Sequence, residues 1–392
     1  MPASEPPPSL APREWRLRLD PLLLIAALGL VACSLVALHG ATRADVPGEP
    51  YHYVYRQAVY AGVGLVLMYA LSRFDYSRLQ DLRYPVYGLL LGLLLLVLGV
   101  ATATRGAKAW IELPFFTFQP SEFGKVLLVA ALAGFLVSRM RLMGRQTTAR
   151  VVLLGLIPTM LVMAENDLGS ALVYGIGILA VLFVAGAPWR HFAALGALFA
   201  VAMAIVVVGA PAAGVEVLKP YQKERLTSFL EPSSDPADAG YQQQQSKIAI
   251  GSGEKTGRGA DNATQTGLDF LPEHHTDFIF AVVGETYGFV GCALVLSLYA
   301  LLIWRALHIL TVAKNLYGAL LAGGITVMLL FQLVVNVGMN VGIMPITGVT
   351  APLLSAGGSS MLATFLAIGL LQSVNAQARE TAAVKGRATV FE

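Results

Sequence analysis

Long apolar runs separated by short polar breaks dominate this chain. Leu22–Leu38, Tyr84–Val100 and Leu168–Ala187 are three of them. Each approaches or exceeds the ~20 residues that carry a helix across ~30 Å of hydrocarbon. The breaks divide the chain into ten spans, at 22–39, 54–72, 84–101, 121–137, 150–164, 168–187, 190–209, 277–304, 316–340 and 353–375. The pattern predicts an all-α, polytopic membrane protein with ten transmembrane helices and one large loop, 210–276, between helices 7 and 8. Only Ala164-Glu-Asn-Asp167 separates the fifth span from the sixth, so two closely coupled half-buried helices are an alternative there.

Composition agrees. Of 392 residues 56% are hydrophobic and 13% charged, with mean hydropathy +0.66; a soluble enzyme carries about twice that charged fraction. The basic residues give an orientation. With the N-terminus inside, the inner segments hold sixteen Lys and Arg, against five in the short outer loops and helix mouths. The positive-inside rule then puts both termini in the cytoplasm and 210–276 outside. Residues 1–20 read as a disordered cytoplasmic tail, opening on a Pro-rich stretch. Residues 21–376 read as one transmembrane domain and 377–392 as a second cytoplasmic tail. Cys33 and Cys292 lie inside spans, with no disulfide framework. No metal-ligand spacing, phosphate-binding Walker loop or dinucleotide fingerprint is present, and no nucleic-acid partner is expected.

Candidate chemistry gathers at the outer ends of the spans. Asp277 follows the long loop and opens an apolar helix, where an ionised carboxylate is costly and is a functional candidate by default. Its bland reading is a carboxylate favoured by a helix N-terminus. Glu122 and Lys125 share one helix face at the start of the fourth span and read as an ion pair, structural or substrate-facing. Trp110 reads as an interfacial anchor or a sugar-stacking ring. Glu165 and Asp167 offer a place for a divalent cation such as Mg2+ or Mn2+, although Asp167 before Leu-Gly-Ser-Ala reads more simply as a helix cap. Glu285 is expected to be buried against polar partners. In the loop, the Gly-rich Gly251–Gly259 with Lys255 and Arg258, and Lys219, Lys223, Arg225 and Lys247 nearby, is a candidate phosphate cradle or simply a solvated loop. The adjacent His274 and His275 read as loop residues with a hydrogen-bonding role, since neighbouring histidines rarely aim at one metal. Ser355, Ser359 and Ser360 would cap the last span or line a cavity.

Thr276-Asp-Phe-Ile-Phe280, preceded by Phe270-Leu-Pro-Glu-His-His275, resembles the signature of the SEDS proteins, the bacterial shape, elongation, division and sporulation glycosyltransferases. Supporting matches run in order along about 20–375. They include Phe118-Gln-Pro-Ser-Glu-Phe-Gly-Lys125, Glu165-Asn-Asp-Leu-Gly169, Gln245-Ser-Lys-Ile-Ala-Ile-Gly-Ser-Gly253, Asn336-Val-Gly-Met339 and Pro352-Leu-Leu-Ser-Ala-Gly-Gly-Ser-Ser360. The details lean to the RodA branch over FtsW. Ala356 stands where the family usually has tyrosine, so no tyrosine role is carried over.

The resemblance implies a peptidoglycan glycosyltransferase of the inner membrane that polymerises lipid II into β-1,4 glycan strands on the outer face, for cell elongation. It also implies a class B penicillin-binding protein as partner, among elongation-complex membrane proteins. Asp277 would be the catalytic base, with Glu122, Lys125, Trp110, Arg225, Lys247 and Ser359 binding or supporting substrate. The alternatives are a flippase for the lipid-linked precursor, a division glycosyltransferase of the FtsW type and a non-catalytic scaffold.

Overall fold

The computed structural model describes residues 19–43, 45–101, 109–113, 116–138, 144–209, 211, 239–268 and 270–388. Residues 1–18 of the N-terminal tail, Arg105, Lys108, Lys219, Lys223 and Arg225 lie outside the described residues. The spanning helices are α1 (Pro21–Ala41), α2 (His52–Ser72), α4 (Arg83–Val100), α5 (Pro120–Val137), α6 (Arg145–Ala164), α7 (Leu168–Val184), α8 (Trp189–Ala204, continued as a π-turn over Ile205–Gly209), α11 (Ile279–Val312), α12 (Leu316–Val341) and α13 (Gly358–Ala388). Among the described residues, nine of these are long and apolar enough to cross a membrane, and α7 is a shorter apolar helix. The protein is a multi-span helical membrane protein. The short α3 (Ser77–Asp81) links α2 to α4, and the hairpin β1 (Ile111–Leu113) and β2 (Phe116–Phe118) precedes α5.

The last span begins five residues later than the pattern predicts, at Gly358. Pro352 and the positive φ of Leu353 hold 351–357 in turns, because proline disfavours helical geometry at the residue before it. α5 lies at the centre of the bundle, against α4, α6, α7, α12 and α13. α8 differs from every other span in having no buried residue. At the end opposite the loop, Asp20 caps α1 through Leu23 N and receives Arg305 and Arg379. Burial opposes its charge, but hydrogen bonds from Arg305 and Leu23 N and the two guanidinium charges outweigh it and hold the Asp20 carboxyl below the usual range.

The described part of the loop is built on α9 (Ala239–Ser252) and the one-turn α10 (Thr264–Gly267). α9 packs on α12 through its polar side chains. Its Ser246 Oγ donates to Asn340 O at 2.8 Å and Gln243 Nε2 to Met344 O at 2.9 Å. Beneath it, Ala249, Leu271, Phe278, Ala281, Met339 and Ile346 form a small apolar cluster that seats the start of α11.

The Gly-rich segment after α9 serves backbone packing. α11 breaks at Gly288, which has φ +61° and ψ −156°. A regular helix would bond Phe289 N to Glu285 O and Val290 N to Thr286 O. Here the loop enters both gaps. Phe289 N donates to Glu254 O (2.9 Å) and Val290 N to Lys255 O (3.1 Å), while Arg258 N reaches Glu285 O (2.9 Å) and Gly259 N reaches Thr286 O (3.1 Å). All four backbone groups released by the break are thereby paired, as burial requires. Such contact excludes side chains: a Cβ on Gly257 would stand 2.1 Å from Thr286 O, and its φ is +84°. The Arg258 and Gly259 amides are committed to α11, so the phosphate-cradle reading of this segment does not hold.

Candidate active site

At the loop-bearing end, α2, the β-hairpin, the α5 start, the α6–α7 turn, the segment before α11 and the turns before α13 enclose a cavity of about 690 Å³. Asp277, Glu122, Lys125, Trp110 and Ser359 all line it. Lys247 does not; it is exposed on α9 with its alkyl chain over Gly342. Lys255 and Arg258 are also absent from the lining, and Arg258 Nε is taken by Ser252 O at 3.1 Å.

Asp277 is half-buried, while Phe278, Ile279 and Phe280 behind it are buried. Its backbone is held by two side chains from α12. Asn336 Nδ2 donates to Asp277 O at 3.1 Å and Asn340 Nδ2 at 3.0 Å. Asn340 Oδ1 accepts from Ala281 N at 3.0 Å, which satisfies a first-turn amide of α11. The preceding residues are tied to the α13 approach: Ser355 Oγ donates to Thr276 O (2.6 Å) and Ala356 N to His275 O (2.9 Å). The side chain faces the 346–350 segment, with Oδ2 3.8 Å from the position a Cβ on Gly348 would take.

Pro120 occupies the first turn of α5, where no amide is lost, and brings Glu122 and Lys125 into the cavity wall. Both are buried, 7% and 5% exposed, and Lys125 Nζ donates to Glu122 Oε1 at 2.6 Å. An ammonium has three donors, so this pairing leaves capacity for an anionic ligand. Arg56 of α2 is a second lining cation, braced on Tyr60 OH (3.1 Å). In the sequence Arg56 is one of the five outer cations of the orientation count and has no other mark. Its place in the same cavity as Lys125 depends on how α2 packs, which no local pattern carries.

Asp167 is the cap the sequence suggests: Oδ1 accepts from Ser170 N at 2.9 Å. Its other oxygen accepts from Gln119 Nε2 (3.1 Å) and Ser121 Oγ (3.3 Å), and Gln119 Oε1 accepts from Trp110 Nε1 (3.2 Å). Trp110 is thus fixed as cavity wall through Gln119 to Asp167. Ser359 Oγ accepts from Gln119 N (2.9 Å) and donates to Thr117 O (2.8 Å), joining α13 to the hairpin. Glu165 lies apart. It is fully buried, absent from the cavity lining, and neither carboxylate oxygen has a hydrogen-bond partner among the described residues. Burial, and then the charge of Asp167, push its acid up to about 9. Glu165 and Asp167 thus have different surroundings, and among the described residues they are not part of a cluster of three or more metal-ligating groups. Glu285 is buried as expected, and holds the loop: it accepts from Gln265 N (2.8 Å), Thr266 N (3.0 Å) and Thr266 Oγ1 (2.7 Å).

The description "Cell cycle protein", covering FtsW, RodA and SpoVE, matches residues 17–380. The chain belongs to the FtsW/RodA/SpoVE family. Among family members it is similar to the peptidoglycan glycosyltransferase MrdB of Escherichia coli (strain K12), 35% identical over 92% of this chain and 94% of that one. It is also similar to the probable peptidoglycan glycosyltransferase FtsW of Alkalilimnicola ehrlichii, 38% identical over 93% and 90%. A solved structure described as showing structural coordination of polymerization and crosslinking by a peptidoglycan synthase complex has TM-score 0.79 and 38% identity, over 92% of this chain and 99% of that chain. Relatives named MrdB and FtsW thus occur at comparable identity.

Proposed function

We propose that this FtsW/RodA/SpoVE protein is a peptidoglycan glycosyltransferase that polymerises lipid II on the outer face of a bacterial inner membrane, with both termini cytoplasmic. The observation that carries this reading is one cavity, at the loop-bearing end, lined by an acid, a buried ion pair with a spare ammonium capacity, and a fixed indole ring.

The reaction converts an α-linked sugar on undecaprenyl pyrophosphate to a β-1,4 linkage. A single inverting displacement fits that change. Asp277 takes the proton from the acceptor hydroxyl as its oxygen bonds the anomeric carbon, and the pyrophosphate departs from the opposite face. Lys125 and Arg56 are the cations that meet the departing charge. Trp110 offers a flat apolar face to a sugar ring, and Asp167 holds it through Gln119.

The loop bases Arg225 and Lys247 are given the lesser role of guiding an anionic headgroup towards the cavity. An elongation role with a class B penicillin-binding protein follows from the RodA-like motifs. A flippase remains the second reading, because intramembrane charges also suit a transporter. The acid's position at the loop-bearing end, rather than at a bilayer midplane, favours the enzyme.

The test is polymerisation of lipid II by purified protein, with and without its transpeptidase partner. Glycan from the wild type and none from a folded Asp277→Asn variant is the expected result. Polymerisation by Asp277→Asn near the wild-type rate removes the acid from this role, and no glycan from any form turns the reading to transport.

A further inference from the structure

Beside the cavity, the α1–α2 connector meets the segment that carries Asp277. One ring nitrogen each of His274 and His275 and a carboxylate oxygen of Asp45 lie within 4.8 Å of one another. His274 is buried. Its Nδ1 is 3.1 Å from Leu271 O. A carbonyl only accepts, so this nitrogen carries the hydrogen, and in the neutral ring the lone pair is on Nε2. That Nε2 faces Asp45 Oδ2 at 3.2 Å. Two acceptors at this distance repel unless a positive species lies between them, either a second proton on the ring or a metal cation.

Three features favour the metal. A ring N–H donated to a backbone carbonyl is the usual way a metal-ligating histidine is oriented. Bonds of about 2.0–2.1 Å in a tetrahedral site place ligand atoms about 3.3 Å apart, close to the Asp45–His274 separation. The third group, His275, brings a second ring nitrogen within 4.8 Å of both, which completes a three-ligand set. Its ring is held ready between Tyr53 (centroids 4.6 Å apart) and His274 (5.4 Å).

We propose that Asp45, His274 and His275 form a site for a transition-metal cation of the Zn2+ class, clipping the α1–α2 connector to the Asp277 segment. Two imidazoles and one carboxylate select such a cation over Mg2+, which prefers oxygen ligands. The fourth position is left for water. Because Tyr53 and His275 also line the cavity, the clip would join the wall on α2 to the wall before α11. Metal binding is independent of the proposed glycosyltransferase activity and is tested without it.

The experiment uses purified full-length protein in detergent, stripped with a chelator and titrated with Co2+. Expected is one equivalent bound with the visible bands of tetrahedral Co2+, displaced by Zn2+ and not by excess Mg2+. Asp45→Asn lies on an exposed connector and is expected to weaken Co2+ by more than the 10–100-fold typical of an outer-shell change. His274→Gln is expected to do the same. Asp45→Cys, which keeps an anionic ligand, retains Zn2+ binding and controls for folding, and His52→Gln leaves binding unchanged. Absence of saturable Co2+ binding by the wild type overturns the proposal in favour of an imidazolium–carboxylate pair. Binding indifferent to Asp45→Asn overturns it equally.

Discussion

Asn340 donates its side-chain amide to the backbone carbonyl of Asp277 at 3.0 Å, while its carbonyl receives Ala281 N. One α12 side chain thus sets both the residue that would do the chemistry and the first turn of the helix behind it. Asn340→Ala leaves the Asp277 carbonyl with Asn336 alone and orphans Ala281 N, a loss of about 1–3 kcal/mol. The expected outcome is a folded protein whose polymerisation turnover falls tenfold or more, since displacements near 1 Å cost about 100-fold, with little change in lipid II KM. Steady-state kinetics on lipid II checks this.

The Glu122–Lys125 pair distinguishes function from packing. Removing either partner strands a buried charge at about 3–5 kcal/mol, so Glu122→Gln and Lys125→Met should each lower the unfolding temperature. The charge-swapped double variant restores the pair and, with it, stability. It moves the ammonium three residues along α5, and activity is expected to stay low. Thermal unfolding and lipid II turnover, measured on the same preparations, separate the two effects.

Glu165 gives a pH prediction of definite sign. Its folded-state pKa of about 9 lies above the ordinary glutamate value of 4.5. The unfolded chain therefore releases this proton at lower pH than the folded one. Stability falls as pH rises from about 4.5 towards 9. Glu165→Gln removes that slope. The unfolding temperature of the variant should gain on the wild type between pH 5 and pH 8, and parallel curves across that range would contradict a neutral buried acid.

Gly257→Ala places a methyl group 2.1 Å from Thr286 O at a φ of +84°. The loop segment should lose its seat on α11, and limited proteolysis is expected to cut it many times faster than in the wild type. Gly251→Ala, which meets nothing within 4 Å, should leave the cutting rate unchanged.

The ten apolar helices were legible because hydrocarbon thickness sets a run length. Asp277 was legible because an acid at a helix mouth stands out from the apolar sequence after it. Lys125 was legible beside Glu122, but Arg56 was not, for a physical reason: loop bases are conspicuous in composition, whereas Arg56 joins Lys125 in lining one cavity only through the way α2 packs. The hydrogen-bonding role read for His274 is present, but its pairing with Asp45 was hidden for a similar reason, since Asp45 is 229 positions before it and nothing local announces it. The role of the Gly-rich segment was hidden because it lies in backbone exchange, which leaves no side-chain signature.

That exchange has a mechanical consequence. The loop does not rest on α11; it is spliced into it, with four loop–helix hydrogen bonds in place of two of the helix's own. Withdrawal of 254–259 would let Phe289 N return to Glu285 O and Val290 N to Thr286 O, with the loop's own groups passing to water. Broken α11 with the loop seated thus holds two more intramolecular hydrogen bonds than straight α11 with the loop withdrawn, and the segment acts as a spacer in the helix. Gly288 lies eleven residues from Asp277, an arm of about 16 Å in helix. A change of about 5° at the splice would carry the carboxylate more than 1 Å across the cavity.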